Sequence, residues 1–135
     1  MEEPVTVQRL ILPPAEAERF VREADRVYVR DCPCRVEEQA CPREKWEVCL
    51  LFKHASAEDL AQGREISIEE AERIVRMTTE RGDVHMLMYL AEGMRPYELC
   101  NCCYCCCFPL REAREAGHYP DRWHSQYVAV TDLHL

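Results

Sequence analysis

The chain has 135 residues, the usual size of one domain, and its formal net charge of −8 argues against nucleic-acid binding, which requires a basic surface. It contains no apolar run long enough to cross a bilayer, and its start, residues 1–4, lacks a basic and apolar leader. We therefore expect one cytoplasmic domain without membrane insertion. In a reducing compartment, clustered cysteines indicate metal or redox chemistry rather than a disulfide framework.

The first part of the chain predicts a strand, a helix and a second strand. Residues 4–12 are rich in β-prone side chains and stop at Pro13-Pro14, which is typical of an edge strand. From Pro14 to about Asp25 the apolar residues recur at helical spacing. Residues 26–30 alternate polar and apolar side chains, as a half-buried strand does, and lead the chain to Cys32.

Four cysteines after this strand form a first candidate metal site. They are Cys32, Cys34, Cys41 and Cys49. Cys-Pro-Cys is too tight for both thiols to face one way in a regular helix, and proline fixes φ, so we interpret this segment as a loop that presents ligands. Cys49 lies in the apolar segment 46–52, where burial as an ordinary core residue is the alternative.

Two helices are predicted in the middle of the chain. Ser56 begins a short helix that Gly63 ends. Ser67, followed three residues later by Glu70, forms a capping box at the start of a longer helix, and Gly82 ends it.

A strand is predicted from Val84 to Leu90. Core packing explains why Met86 and Met88 share one face of it better than thioether ligation of a metal does. His85 lies on the other face, where we predict a hydrogen-bonded structural histidine, with a ligand or proton carrier as the alternative. Residues 93–98 are predicted to form a polar turn.

The second cysteine group places six cysteines in eight positions, residues 100–107. They are Cys100, Cys102, Cys103, Cys105, Cys106 and Cys107. Buried structural cysteines normally occur singly, and neighbouring cysteines on a short loop cannot all pair with each other. Cys100, Cys103 and Cys106 also repeat at every third position, as in ferredoxin loops. We therefore predict a metal or cluster site, with disulfides or inert thiols as the alternative.

A helix is predicted over residues 110–116, directly after the second cysteine group, and a last strand over 126–131. The N-terminus of that helix could direct N–H groups at cluster sulfurs. Arg35 and Arg111 follow the two cysteine groups and could donate hydrogen bonds to cluster sulfurs, the alternative being that both are solvated.

Several segments together carry a resemblance to a known family. They are Arg30-Asp31-Cys32-Pro33-Cys34-Arg35, Cys41, Cys49-Leu50, residues 63–67 with 69–71, Val84-His85 and residues 100–107. Over about residues 26 to 110 the chain resembles the N-terminal cysteine-rich module of anaerobe 4Fe-4S ferredoxin-type proteins. The resemblance implies iron-sulfur binding and electron transfer. The relatives often continue into a two-cluster ferredoxin domain, and because no such motif follows here before Leu135, we expect any ferredoxin partner to be a separate chain.

We expect an α+β fold, with residues 1–135 as a single iron-sulfur-binding domain. It should contain a short mixed sheet, about three main helices and two cysteine-rich loops. If the strands ending at Arg30 and Leu90 run in the same direction, both loops emerge at the same edge of the sheet.

We expect an electron-transfer module with one or two 4Fe-4S clusters, because two cubes need eight thiolates and the chain has ten. The predicted cluster ligands are Cys32, Cys34, Cys41, Cys49, Cys100, Cys102, Cys103 and Cys106, and the wider metal-binding set adds Cys105 and Cys107. The expected partner is a ferredoxin or an oxidoreductase subunit.

Two alternatives stay open. One is a structural or interaction domain that binds zinc through four thiolates, although the cysteine spacing fits paired zinc knuckles less well. The other is a redox sensor or enzyme with an open iron site. In that case Cys100, Cys103 and Cys106 would hold three irons of the cube, and the fourth would be open to a substrate. An electron carrier or accessory subunit is favoured over a free-standing enzyme.

Overall fold

The computed structural model describes residues 7–38, 46–90, 95–103 and 108–117. The strands in these residues are β1 (Val7–Leu12), β2 (Val27–Asp31), β3 (Glu47–Leu51), β4 (Arg64–Ile66), β5 (Val84–Leu90) and β6 (Arg95–Cys102). The helices are α1 (Pro14–Arg22), α2 (Pro33–Glu38), α3 (Ala57–Ala61), α4 (Ile68–Glu80) and α5 (Phe108–Ala116). The α+β class expected from the sequence is confirmed. Within the described ranges no helix is long and apolar enough to span a membrane.

All six of these strands belong to one sheet, in the order β1-β5-β6-β3-β2-β4. Every neighbouring pair is antiparallel, so the expectation of a mixed sheet is wrong. The reason is that β5 and β6 are consecutive antiparallel strands and that β3 lies between β6 and β2. The predicted edge strand is confirmed as β1.

The strand order places one described cysteine of each group, Cys32 and Cys103, at the same edge of the sheet. Because β3 lies antiparallel between β2 and β6, these two strands run in the same direction and their C-terminal ends lie at the same edge of the sheet, on either side of β3. Cys32 follows β2, and Cys103 follows β6. We call this edge of the sheet the cysteine end. The expected common edge is therefore present, but β6 rather than β5 leads to the second group.

One face of the sheet packs against α1 and α4 and forms the main core. Ala17 and Val21 of α1 and Ala71 and Val75 of α4 are fully buried in it. Small residues on these two helices let them approach each other and the central strands closely. The apolar spacing that predicted both helices is thus explained by burial of one helical stripe.

The predicted helix boundaries of α3 and α4 are confirmed. The hydroxyls of Ser56 and Ser67 each accept the backbone N–H three residues later at 3.1 Å. Each such cap contributes about 1 kcal/mol to stability. Gly82 adopts a φ of 86°, a left-handed conformation that side chains disfavour, and ends the helix as predicted.

Three segments differ from the sequence predictions. Cys-Pro-Cys opens the helix α2 rather than a loop, since Pro33 occupies the first helical position, where its missing N–H costs nothing. Residues 95–98 belong to β6 rather than to a turn, because they pair with β5. Residues 64–66, for which no strand was predicted, pair with β2 as β4. The predicted strand at 126–131 lies outside the described residues.

Candidate metal centre

Cys32 and Cys34 bring their thiols together at the start of α2. The Cys32 side chain hydrogen-bonds to that of Cys34 and also accepts the backbone N–H of Arg35. The hydrogen bond with Cys34, together with burial, raises the pKa of the Cys32 thiol. Both thiols can approach each other because Cys32 stands just before the helix rather than within it: its carbonyl accepts the N–H of Val36 at 3.1 Å.

The buried side chain of Arg35 ties this pair to the rest of the cysteine end. Its guanidinium is 0% exposed, donates to the carbonyl of Asn101 at 3.0 Å and pairs with Asp83 at 3.1 Å. Asp83 also accepts Arg81 Nε at 2.6 Å. The alternative that Arg35 is solvated is therefore wrong. Its donation to a cluster sulfur stays a prediction, as does that of Arg111, which is half-buried.

The second cysteine group enters the cysteine end through β6. Cys103 follows the last residue of that strand and is buried. The remaining predicted ligands Cys41, Cys105, Cys106 and Cys107 lie outside the described residues. Among the residues that are described, no group of three or more cysteine, histidine, aspartate or glutamate side chains has a metal-holding arrangement.

Cys49, Cys100 and Cys102 lie instead on the sheet face opposite α1 and α4. Cys49 of β3 stands directly across from Cys100 of β6. Cys100 and Cys102, two residues apart on one face of β6, form a disulfide with Cα atoms 5.4 Å apart. This bond must be reduced before either cysteine can bind a metal. The argument that neighbouring cysteines cannot all pair overlooked that one such pair can form.

A cluster of polar side chains surrounds the buried thiol of Cys49. Its thiol donates to Glu98 Oε1 at 2.6 Å, and Arg30 Nη2 donates to the same oxygen at 3.1 Å. Arg30 Nη1 also pairs with Asp59 at 3.0 Å. Burial, followed by the charge of Glu98 and the hydrogen bond to it, raises the pKa of Cys49 well above its ordinary value.

Sequence analysis missed Arg30 and Glu98 as members of this group. Arg30 was placed on a half-buried strand and Glu98 in a turn, and only the strand register brings them together. Cys49 is buried within β3, as one of the two interpretations stated, while a ligand role for it stays a prediction.

His85 is a hydrogen-bonded structural residue, as predicted. Its Nδ1 lies 2.6 Å from Asn101 Oδ1, and its Nε2 lies 2.8 Å from Thr79 Oγ1. Because the Asn101 amide nitrogen donates to the carbonyl of Val48 at 2.7 Å, its oxygen accepts from Nδ1. In the neutral ring Nε2 is an acceptor, and the single proton of the Thr79 hydroxyl is shared between Nε2 and the carbonyl oxygen of Val75, each 2.8 Å from Oγ1.

The neutral state of His85 predicts a pH dependence of stability. Burial lowers its pKa from the ordinary 6.5, so the unfolded chain binds the proton more readily. Stability should therefore fall as the pH drops below about 6.5. We expect the urea midpoint of the wild type to decrease more between about pH 7.5 and 5.5 than that of His85→Gln. His54→Gln, at an exposed histidine, is the matched control and should follow the wild type. Equal slopes for His85→Gln and the wild type would contradict this assignment.

A pocket of about 550 Å³ adjoins the cysteine end on the side of α4. Its lining includes Asp31 and Trp46 near the strand ends and Ile74 and Met77 of α4. The carbonyl of Trp46 accepts the backbone N–H of Cys32 at 2.8 Å. The pocket therefore lies beside residues in direct contact with Cys32.

Comparison of the chain with protein-family models, with curated proteins and with solved structures found no significant match. The resemblance to a ferredoxin-type module stays an expectation from the sequence. The cysteine geometry is therefore the observation from which a function can be proposed.

Proposed function

We propose that this is an iron-sulfur protein that binds a 4Fe-4S cluster at the cysteine end and exchanges electrons with a separate redox partner. The observation that supports it is that Cys32 and Cys34 of the first group and Cys103 of the second lie at the same edge of the sheet. Cys32 and Cys34 contact each other, and Arg35 fixes their helix to the strand that leads to Cys103. Thiolates are the usual ligands of such clusters.

The thiols at the cysteine end suit an iron-sulfur cluster because sulfur is the right ligand type and because these side chains are shielded from water. Cys32 and Cys103 are each 3% exposed, so water has little access to their sulfurs. The backbone N–H of Arg35, which hydrogen-bonds to the Cys32 sulfur, would stabilise that sulfur as a thiolate. A bound cluster supplies one-electron chemistry, and these residues supply ligands, hydrogen bonding and exclusion of water. Metal binding must displace the thiol protons, since thiolates are the ligands.

The charge of the chain favours a basic partner. At a formal −8 before any cluster is added, the protein would be steered by long-range attraction toward a positively charged patch on a ferredoxin or an oxidoreductase subunit. The pocket beside Cys32 offers such a partner a place of contact close to the cluster ligands.

Metal analysis of anaerobically purified and reconstituted protein tests this proposal. We expect about four or about eight irons per chain with matching sulfide, a brown colour, and an electron paramagnetic resonance signal after reduction. A colourless protein that retains zinc would establish the structural zinc alternative instead. Fewer than about two irons per chain would exclude even a single cube.

A further inference from the structure

One cysteine in the sheet has two possible disulfide partners. Cys100 is bonded to Cys102 along β6, and it also stands directly across from Cys49 of β3. Directly opposed residues of antiparallel strands have Cα atoms about 4.5 to 5.5 Å apart, a separation that disulfides span. All three side chains point to the same face of the sheet. The Cys100 sulfur can therefore be bonded along its strand or across to the next one.

The thiol of Cys49 is in contact with a proton acceptor. Its hydrogen bond to Glu98 Oε1 is 2.6 Å long, and Arg30 pairs with the same carboxylate. A carboxylate in contact with the thiol supplies the base that attack by its sulfur requires.

We propose that Cys49, Cys100 and Cys102 form an internal thiol–disulfide exchange site, which moves one disulfide between Cys100–Cys102 and Cys49–Cys100. The Cys49 sulfur attacks the Cys100 sulfur while its proton passes to Glu98. The bond between Cys100 and Cys102 breaks, and Cys102 leaves as a thiolate that takes up a proton. One S–S bond forms and one breaks, so the step consumes no external oxidant or reductant.

The exchange changes which cysteines can bind a cluster, and this consequence rests on the proposed function. Cys102 is the last residue of β6, next to Cys103 at the cysteine end. Either disulfide leaves eight of the ten cysteines as thiols, the number that two cubes need. Cys49 is one of the eight when Cys100 and Cys102 are bonded, and Cys102 is one of them when Cys49 and Cys100 are bonded. The position of the disulfide thus decides whether the thiol at the end of β6, next to Cys103, is free to bind a metal.

Disulfide mapping of the metal-free, full-length chain tests the exchange site. A digest with trypsin and chymotrypsin leaves Cys49 in peptide 47–52 and Cys100, Cys102 and Cys103 in peptide 98–104, whose fragmentation by mass spectrometry assigns the bonded cysteines. After mild oxidation with glutathione disulfide and alkylation in acid, we expect two products from the wild type. One is an internal disulfide in peptide 98–104, and the other is a cross-link between the two peptides.

Variants assign each bond and the proton transfer. Oxidation of Cys102→Ser should give the cross-linked peptides as the main product, whereas Cys49→Ser should give only the internal disulfide. Glu98→Gln should slow the appearance of the cross-link, after transfer from acid to about pH 7.5, by at least about tenfold. Glu58→Gln, at an exposed carboxylate, is the matched control and should match the wild-type rate.

Circular dichroism of each variant establishes that it is folded. A folded Cys102→Ser chain without the cross-link from Cys49 in peptide 47–52 to Cys100 in peptide 98–104 would overturn the exchange site. If that variant does not fold, the oxidised wild type is used instead, and absence of the same cross-link there would also overturn the exchange site. Because the mapped chain is metal-free, a failure of iron binding leaves this result unaffected. Iron-loaded protein without the cross-link would refute the exchange site alone.

Discussion

Replacement of Arg35 by methionine should destabilise the fold by about 3 to 5 kcal/mol, the usual cost of removing one partner of a buried ion pair. The guanidinium and the Asp83 carboxylate with which it pairs are both 0% exposed. Without Arg35 the buried carboxylate would lose this ion pair while keeping its contact with Arg81, and the carbonyl of Asn101 would lose a buried donor. Urea unfolding of the metal-free protein measures the loss.

The control for this variant is an arginine whose ion pair is exposed. Arg19 pairs with Glu16 one helical turn away, and its side chain is 63% exposed, so Arg19→Met should cost less than about 1 kcal/mol. Replacing Arg35 and Asp83 together by apolar residues should recover part of the stability, because no buried charge is then left unpaired. An Arg35→Met protein within about 1 kcal/mol of the wild type would show that this pair does not anchor α2.

Serine in place of Cys32 or Cys34 should remove one cluster from the reconstituted protein. Serine keeps the size of the side chain but lacks the thiolate that iron requires, so each variant should lose about four irons per chain. The cluster-dependent part of the stability should disappear with the iron, since metal binding contributes to the folding free energy of small metalloproteins. Iron, sulfide and thermal unfolding are measured on the same samples.

Val36→Ser is the matched control for these two variants. Val36 lies on the same helix but is 45% exposed, so serine there adds a hydroxyl without removing a sulfur. It should retain the iron content of the wild type. If Cys32→Ser and Cys34→Ser, both folded by circular dichroism, also retain it, the ligands are elsewhere in the chain and the proposed position of the cluster is wrong.

Local signals in the sequence were enough to predict most of the helices and several strands. The capping serine Ser67 and the terminator Gly82 bound α4 where predicted, because both act within one turn of the chain. α2 and β4 were missed for different reasons. Pro33 is as suitable for the first turn of a helix as for a loop. The three residues of β4 become a strand only because β2 offers them hydrogen bonds.

The sequence allowed us to list candidate cysteine ligands but not to predict how they are arranged in space. Chain order divided the cysteines into groups of four and six, whereas among the described cysteines strand register sets a different grouping. Register moves Cys49 out of the first group and places it opposite Cys100. Alternation along β6 puts Cys100 and Cys102 on one sheet face, so they separate from Cys103 at its end. The Arg35–Asp83 ion pair joins residues far apart in the chain, and no local sequence pattern predicts such a contact.

The position of β6 inside the sheet has a consequence for how the protein folds. β6 lies between β5 and β3, and β5 also pairs with β1, where Leu12 stands opposite His85. Such long-range pairings require closure of large chain loops, which makes folding slow. Until the sheet closes, the thiols that it buries are open to air and to one another. During this period non-native disulfides can form before the native fold does. A reducing environment during synthesis lowers the number of non-native disulfides that compete with folding.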